Sequence, residues 1–348
     1  MSETILMPVI ETFFISAACS YLLTPFVRAL AVKLNYFDHP QDNKVHAHPV
    51  PLLGGLAIFA AFVIAVITKS QAIAYPQARA ILFGASILVV IGLIDDRMGM
   101  MPNIKLLGQF LSAMVVVKAG IRLEFIGNYY ISVLLTYVWI IGITNAFNLL
   151  DNMNGLSSGI AAIAALFFGA ISFMSGQFAV SIISFALAGS SIGFLKHNFP
   201  KASLFMGDAG SLVLGFVLAS IAIMGSWKTP MLTSAIMIPI LILGYPIFDT
   251  ALVSVMRIIE GRSIFQGGKD HSSHRLALLG LKRYKTVVLI YFICALMGIT
   301  AVSVTRLKGA QGLMLTFLAF ICMLALGIRL SLVDTKRNGR KKGVNAPD

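Results

Sequence analysis

The apolar run Ile91-Gly92-Leu93-Ile94 ends in two adjacent carboxylates, Asp95 and Asp96, with Arg97 directly after them. A charged side chain at bilayer depth costs roughly 2.5–3.5 kcal/mol on insertion scales, so such acids generally mark a bound cation, a proton path or a reaction. Other stretches offer matching chemistry. Lys105 follows the pair, and Lys44, in the Pro-rich segment Asp42-Asn43-Lys44-Val45-His46-Ala47-His48-Pro49-Val50-Pro51, carries a charge that could meet a phosphate. In Asn145-Ala146-Phe147-Asn148-Leu149-Leu150-Asp151-Asn152-Met153-Asn154-Gly155, positions 145, 148 and 151 or 152 share one helix face, so amides and a carboxylate converge. Gly207-Asp208-Ala209-Gly210-Ser211 sets a carboxylate between glycines, which let another group approach the backbone closely. Lys269-Asp270-His271-Ser272-Ser273-His274-Arg275, after Gly267 and Gly268, offers hydroxyls, imidazoles and cations to phosphate oxygens. Mg²⁺ is typically held by one or two protein oxygens plus substrate phosphates, so the set suits a Mg²⁺-and-phosphate site.

Each stretch also has a plainer reading. Charged residues are common where a helix leaves the membrane, Asp208 before a helix is a good N-cap, and the amides could be capping groups. His271 and His274, at i and i+3, could bind zinc, yet no cysteine or third histidine accompanies them. Asp249, after Pro246, reads as a hydrogen-bonding support rather than a reacting group.

The elements that must position these residues are membrane spans. With 58% hydrophobic and 12% charged residues among 348, the chain reads as an all-α polytopic integral membrane protein, not a soluble globular one. Apolar runs predict about eleven transmembrane helices, over 9–32, 52–69, 79–94, 105–121, 130–148, 157–175, 178–195, 210–226, 232–255, 286–305 and 312–331. They form one transmembrane domain over 1–335 with a basic cytoplasmic tail over 336–348. With eleven spans, twenty Lys and Arg residues fall on one side and seven on the other, so the positive-inside rule places the N-terminus outside and the C-terminus in the cytoplasm. Eleven of the fourteen acidic residues gather on or near that same face. The net charge of +13 is therefore topology rather than nucleic-acid binding. Cys19, Cys294 and Cys322 all lie in apolar runs and suggest neither a disulfide framework nor a zinc site.

The motifs DNKVHAHPVPLLGG, GLIDDR, NAFNLLDNMNGL, FMGDAGSL and DHSSHRL, in this order and on one face, resemble the polyprenyl-phosphate N-acetylhexosamine-1-phosphate transferases of glycosyltransferase family 4. The resemblance spans essentially the whole chain. It implies transfer of a sugar 1-phosphate, most simply GlcNAc-1-phosphate, from a UDP-N-acetylhexosamine to undecaprenyl phosphate, with release of UMP. It further implies Mg²⁺, with Mn²⁺ as a substitute, in a multi-pass enzyme of the inner (plasma) membrane whose active site faces the cytoplasm. A homodimer is left open.

By motif, Asp95 and Asp96 resemble the catalytic pair, one of which activates the lipid phosphate. Asp208 resembles the metal ligand, with Asn148 helping to hold the metal or the pyrophosphate. Lys105, His274 and Arg275 resemble pyrophosphate contacts, and Asp151 and Asn154 lie in the segment implicated in nucleotide binding. Where many bacterial members have Asp-Gly-x-Asp-Gly, this chain has Asp151-Asn152-Met153-Asn154-Gly155, which removes one carboxylate. The first and fifth loops are unlike those of the peptidoglycan enzyme, so the branch that initiates O-antigen and teichoic acid synthesis fits better. An ion-coupled transporter is the alternative from another class; it would place acids near mid-membrane and carry repeated broken spans.

Overall fold

The computed structural model describes residues 3–38, 40, 48–124, 126–227, 232–263, 268–307 and 310–333. Lys44, His46 and the basic tail lie outside the described residues.

The chain is nearly all helical. The helices are α1 (Glu3–Lys33), α2 (Gly54–Ile67), α3 (Ser70–Ile73), α4 (Pro76–Met98), α5 (Pro102–Lys118), α6 (Tyr129–Leu150) and α7 (Leu156–Met174). After them come α8 (Phe178–Asn198), α9 (Gly207–Met224), α10 (Leu232–Ile242), α11 (Gly244–Ile259), α12 (Ser272–Leu278), α13 (Arg283–Arg306) and α14 (Ala310–Ser331). Starts follow local chemistry. Pro76 and Pro102 occupy the first turns of α4 and α5, where a missing N–H costs nothing. The Asn128 side chain caps α6 by accepting from the N–H groups of Tyr130 and Ile131.

Among the described residues, eight helices are long and apolar enough to cross a membrane, or nine if α10 and α11, bent by 74° about Leu243, count as one span. The expected span over 232–255 is therefore broken, and those over 52–69 and 105–121 shrink to helices of 14 and 17 residues. The first of these loses two residues at each end, starting only after Leu53 at φ 92° and stopping at Ile67. Phe37–Asp38 (β1) pairs antiparallel with Val50–Pro51 (β2), a short ribbon in an otherwise helical fold, and helix resumes only at Gly54. The second ends where Gly120, at φ 91°, turns the chain.

The centre of the bundle is α9. Its apolar residues from Leu212 to Ile221 are almost wholly shielded, packed chiefly against α6 and α4 and also against α2. Glycines make this approach close. A Cβ at Gly92 of α4 would lie 2.2 Å from the Ala209 nitrogen, and one at Gly55 of α2 would lie 2.2 Å from the Gly210 nitrogen. Both contacts are with backbone, which cannot rotate away. Gly92→Ala is thus expected to destabilise the fold by about 1–3 kcal/mol through overpacking. A thermal-unfolding scan in detergent checks this, and an unchanged midpoint would show that α4 and α9 part there without cost.

Candidate functional site

The glycines that join α4 to α9 also bring together the carboxylates at one end of the bundle. Asp95 and Asp96 do not form a loop: α4 runs on through both to Met98 and ends at Gly99, whose φ is 66°. Adjacent helical residues point about 100° apart, so the two acids meet different partners. One oxygen of Asp96 accepts from the Asp208 N–H at 2.8 Å and the other from the Ala209 N–H at 3.5 Å. Asp208 itself sits inside the first turn of α9 and is not its N-cap. That terminal N–H is satisfied instead by Asp96 from another helix. A Cβ at Gly207 (φ +72°) would stand 2.4 Å from Asp96 Oδ2, so only glycine fits there.

Asp95 turns toward Lys105. Its Oδ1 accepts from the Met100 N–H at 2.6 Å, and its Oδ2 lies 2.8 Å from Lys105 Nζ. The same ammonium donates to Asn148 Oδ1 at 3.0 Å and to Asp208. Asn148 Nδ2 in turn donates to Asp208 Oδ1 at 2.7 Å and to the Ser211 hydroxyl at 3.0 Å. Four helices thus place three oxygen-bearing side chains around one positive nitrogen. Among the described residues no three His, Cys, Asp or Glu side chains form a metal-holding group. Mg²⁺ does not require one, because substrate phosphates and waters complete its shell. Carboxylates and an amide carbonyl already hold a cation here, so the donor set fits a hard divalent ion.

The end of α6 borders this cluster. Asn145 forms a reciprocal amide pair with the buried Gln109, at 2.7 and 3.1 Å, and so supports α5 beside α6. Asp151 lies just past the helix; burial, then the negative charges of Asp208 and Asp96, push it up to about 8. Its carboxyl is therefore largely protonated at neutral pH and able to donate. Asn154 Nδ2 donates to the Pro200 carbonyl at 3.3 Å, a bond no carboxylate could make, and Asn152 Oδ1 accepts from the Ser273 hydroxyl at 2.7 Å. The two asparagines of the departing motif tie three loops together. Asn198 holds the turn from beneath, accepting from the Gly155 N–H at 2.7 Å, while the Tyr291 hydroxyl donates to the Gly155 carbonyl at 2.5 Å.

The fifth loop differs most from expectation. His271 is buried, its Nδ1 2.7 Å from Asp249 Oδ2, while Asp249 Oδ1 accepts from the Ser272 N–H and hydroxyl. Asp249 supports the loop by hydrogen bonding, as expected of it. Arg275 does not offer its guanidinium to an anion in this arrangement. It is 1% exposed and donates to the carbonyls of Asp270, Leu330 and Val333, joining α12 to the end of α14. Arg257 and Arg262 both bind Asp270, which holds that carboxyl well below the usual range.

His274 is pushed down to about 4 by burial, with His271, Arg283 and Lys269 adding to the effect and Asp249 opposing it. The unfolded chain takes up this proton near 6.5. Stability therefore falls as pH drops from about 6.5 toward 4. His274→Gln is expected to flatten that stretch of the unfolding midpoint against pH, and an unchanged slope would clear the imidazole of responsibility.

Sequence reasoning gave no role to Gln109, Asn198, Ser211 or Tyr291. A signal existed for Gln109, an amide four residues after Lys105 in an apolar run.

The family described as Glycosyl transferase family 4 matches residues 78–226, a stretch that holds Asp95, Asp96, Lys105, Asn148 and Asp208. The chain is 33% identical over 339 residues, 94% of each chain, to a Bacillus subtilis (strain 168) protein named probable undecaprenyl-phosphate N-acetylglucosaminyl 1-phosphate transferase. It is 32% identical over 324 residues, 83% of this chain and 81% of the relative, to the decaprenyl-phosphate N-acetylglucosaminephosphotransferase of Mycobacterium leprae (strain TN). It is also 28% identical over 315 residues, 86% of this chain and 83% of the relative, to the undecaprenyl-phosphate alpha-N-acetylglucosaminyl 1-phosphate transferase of Yersinia pestis.

Proposed function

The chain belongs to glycosyl transferase family 4, and on that premise we propose that it transfers N-acetylglucosamine 1-phosphate from UDP-N-acetylglucosamine to undecaprenyl phosphate. A phosphate oxygen of the lipid bonds to the sugar-bearing phosphorus, the bond from that phosphorus to UMP breaks, and undecaprenyl-diphospho-GlcNAc and UMP result. The observation that carries this reading is the gathering of Asp95, Asp208 and Asn148 around one cation at the end of the bundle.

Both substrates are anionic and repel one another until positive charge is placed between them. Mg²⁺, or Mn²⁺ in its place, held by Asp208 and Asn148, would neutralise charge on the phosphate oxygens. Lys105 is placed to bind the donor's diphosphate. Asp95 and Asp96 take separate roles. Both oxygens of Asp96 face the N–H groups of α9, so it positions Asp208. Asp95 keeps an oxygen toward Lys105 and is the base that accepts any proton left on the lipid phosphate.

The topology we propose counts α2, α5 and the bent α10–α11 pair with the eight longer helices. That makes eleven crossings, with the N-terminus outside, the C-terminus inside and the site on the cytoplasmic face of the inner membrane.

The test is UMP release by purified protein given undecaprenyl phosphate, Mg²⁺ and a panel of UDP-N-acetylhexosamines. Lipid- and Mg²⁺-dependent release with UDP-GlcNAc is the expected result. Release with a different sugar alone would reassign the donor, and release with none would remove the transferase reading.

A further inference from the structure

Among the described residues, the cations treated above are already engaged, with one exception. Lys105 is gripped by Asp95, Asp208 and Asn148. Arg257 and Arg262 are paired with Asp270, Arg275 is committed to backbone carbonyls, and His274 is neutral at pH 7. Arg97 stands apart. Among the described residues no carboxylate pairs with it; its guanidinium lies over the Tyr36 ring, 5.6 Å from the centroid.

Tyr36 fixes where that charge is held. The ring is 8% exposed, and its hydroxyl donates to the Leu93 carbonyl one turn before Arg97. The phenol also lies within the fields of Asp96, Asp208 and Asp95. The guanidinium is therefore kept beside the carboxylate cluster instead of reaching freely along the membrane surface. Leading to it along α4 are Val90, Ile94 and Met98, spaced by four on one helix face and 56%, 42% and 78% exposed.

We propose that Arg97, seated on Tyr36, receives the phosphate of the isoprenoid acceptor, whose chain lies along the Val90–Ile94–Met98 face. This rests on the acceptor assigned above. A phosphate head cannot approach the carboxylates of Asp95, Asp96 and Asp208 without a cation to meet it, and a guanidinium offers two parallel N–H donors to phosphate oxygens. Lipid tails are as apolar as the chain, so contacts along the helix face add little preference for the acceptor. Recognition falls to the head group. Arg97 binds substrate and transfers no proton, because its guanidinium does not deprotonate.

The test compares wild type, Arg97→Gln and Arg97→Lys in detergent micelles free of phospholipid, with KM measured separately for undecaprenyl phosphate and for UDP-GlcNAc. Arg97→Gln is expected to raise the acceptor KM about tenfold with the donor KM within about twofold, and Arg97→Lys to fall between. An unchanged acceptor KM, or an equal rise in both, overturns the proposal. It is also overturned if the effect needs added anionic phospholipid, for then Arg97 meets the bulk lipid head groups. A second arm needs no turnover. Farnesyl phosphate, but not farnesol, should raise the wild-type unfolding midpoint, and Arg97→Gln should abolish that rise. If wild type releases no UMP from any donor, the transferase reading fails while this arm still decides the role of Arg97.

Discussion

Asp208→Asn is expected to lower UMP release by at least about a thousandfold while leaving the unfolding midpoint unchanged or raised. Asparagine has the same shape, and the first turn of α9 is held by Asp96 through backbone N–H groups that the substitution leaves in place. What disappears is one negative charge facing Asn148 and Lys105. Phosphoryl transfer depends almost entirely on positioning and charge, and removing one such group commonly costs 10²–10³ in rate. Loss of a proposed metal ligand adds to that. Stability moves the other way. Asp95, Asp96 and Asp208 lie within one another's fields with Lys105 as the ammonium among them, so removing one carboxylate relieves repulsion. Turnover within tenfold of wild type, from protein that stays folded, would take Asp208 out of the site.

Eight of the expected spans were legible because the length of an apolar run is a local property, and helices close their hydrogen bonds within themselves. Their ends were less so. Nothing local announces that α4 passes through Asp95 and Asp96 before Gly99 stops it, or that residues 37–38 find partners at 50–51. Three of the five motifs, with Lys105, supply residues that the fold brings together, since Asp95, Asp96, Lys105, Asn148 and Asp208 do meet. Their division of labour was not legible. Asp96 caps a helix 112 residues further along the chain, and Asp208, which resembles a cap in sequence, is instead the residue whose N–H is capped. In the fifth loop, too, the partners were not legible: Asp270 takes Arg257 and Arg262, and the carbonyls at the end of α14 take Arg275.

Lys105→Met is expected to change two quantities in opposite directions, lowering turnover about 10²–10³-fold and tightening Mn²⁺ binding in the absence of substrate about tenfold or more. Lys105 Nζ stands where Asp95 Oδ2, Asn148 Oδ1 and Asp208 converge. In the metal-free chain this ammonium neutralises the oxygens that a divalent ion would take. Two unit charges 4 Å apart interact by about 4 kcal/mol at an effective dielectric constant of 20, so even partial relief of that competition exceeds tenfold in affinity. Turnover falls nonetheless, because the donor's diphosphate loses the cation placed to meet it. A mere defect in folding or packing would weaken metal binding and turnover together, which separates the two explanations. Mn²⁺ titration followed by electron paramagnetic resonance reads the affinity without any reaction taking place. If Lys105→Met binds Mn²⁺ more weakly than wild type does, the ammonium is helping to shape the cation site and does not compete for it, and the metal must then enter beside Lys105 and leave it in place.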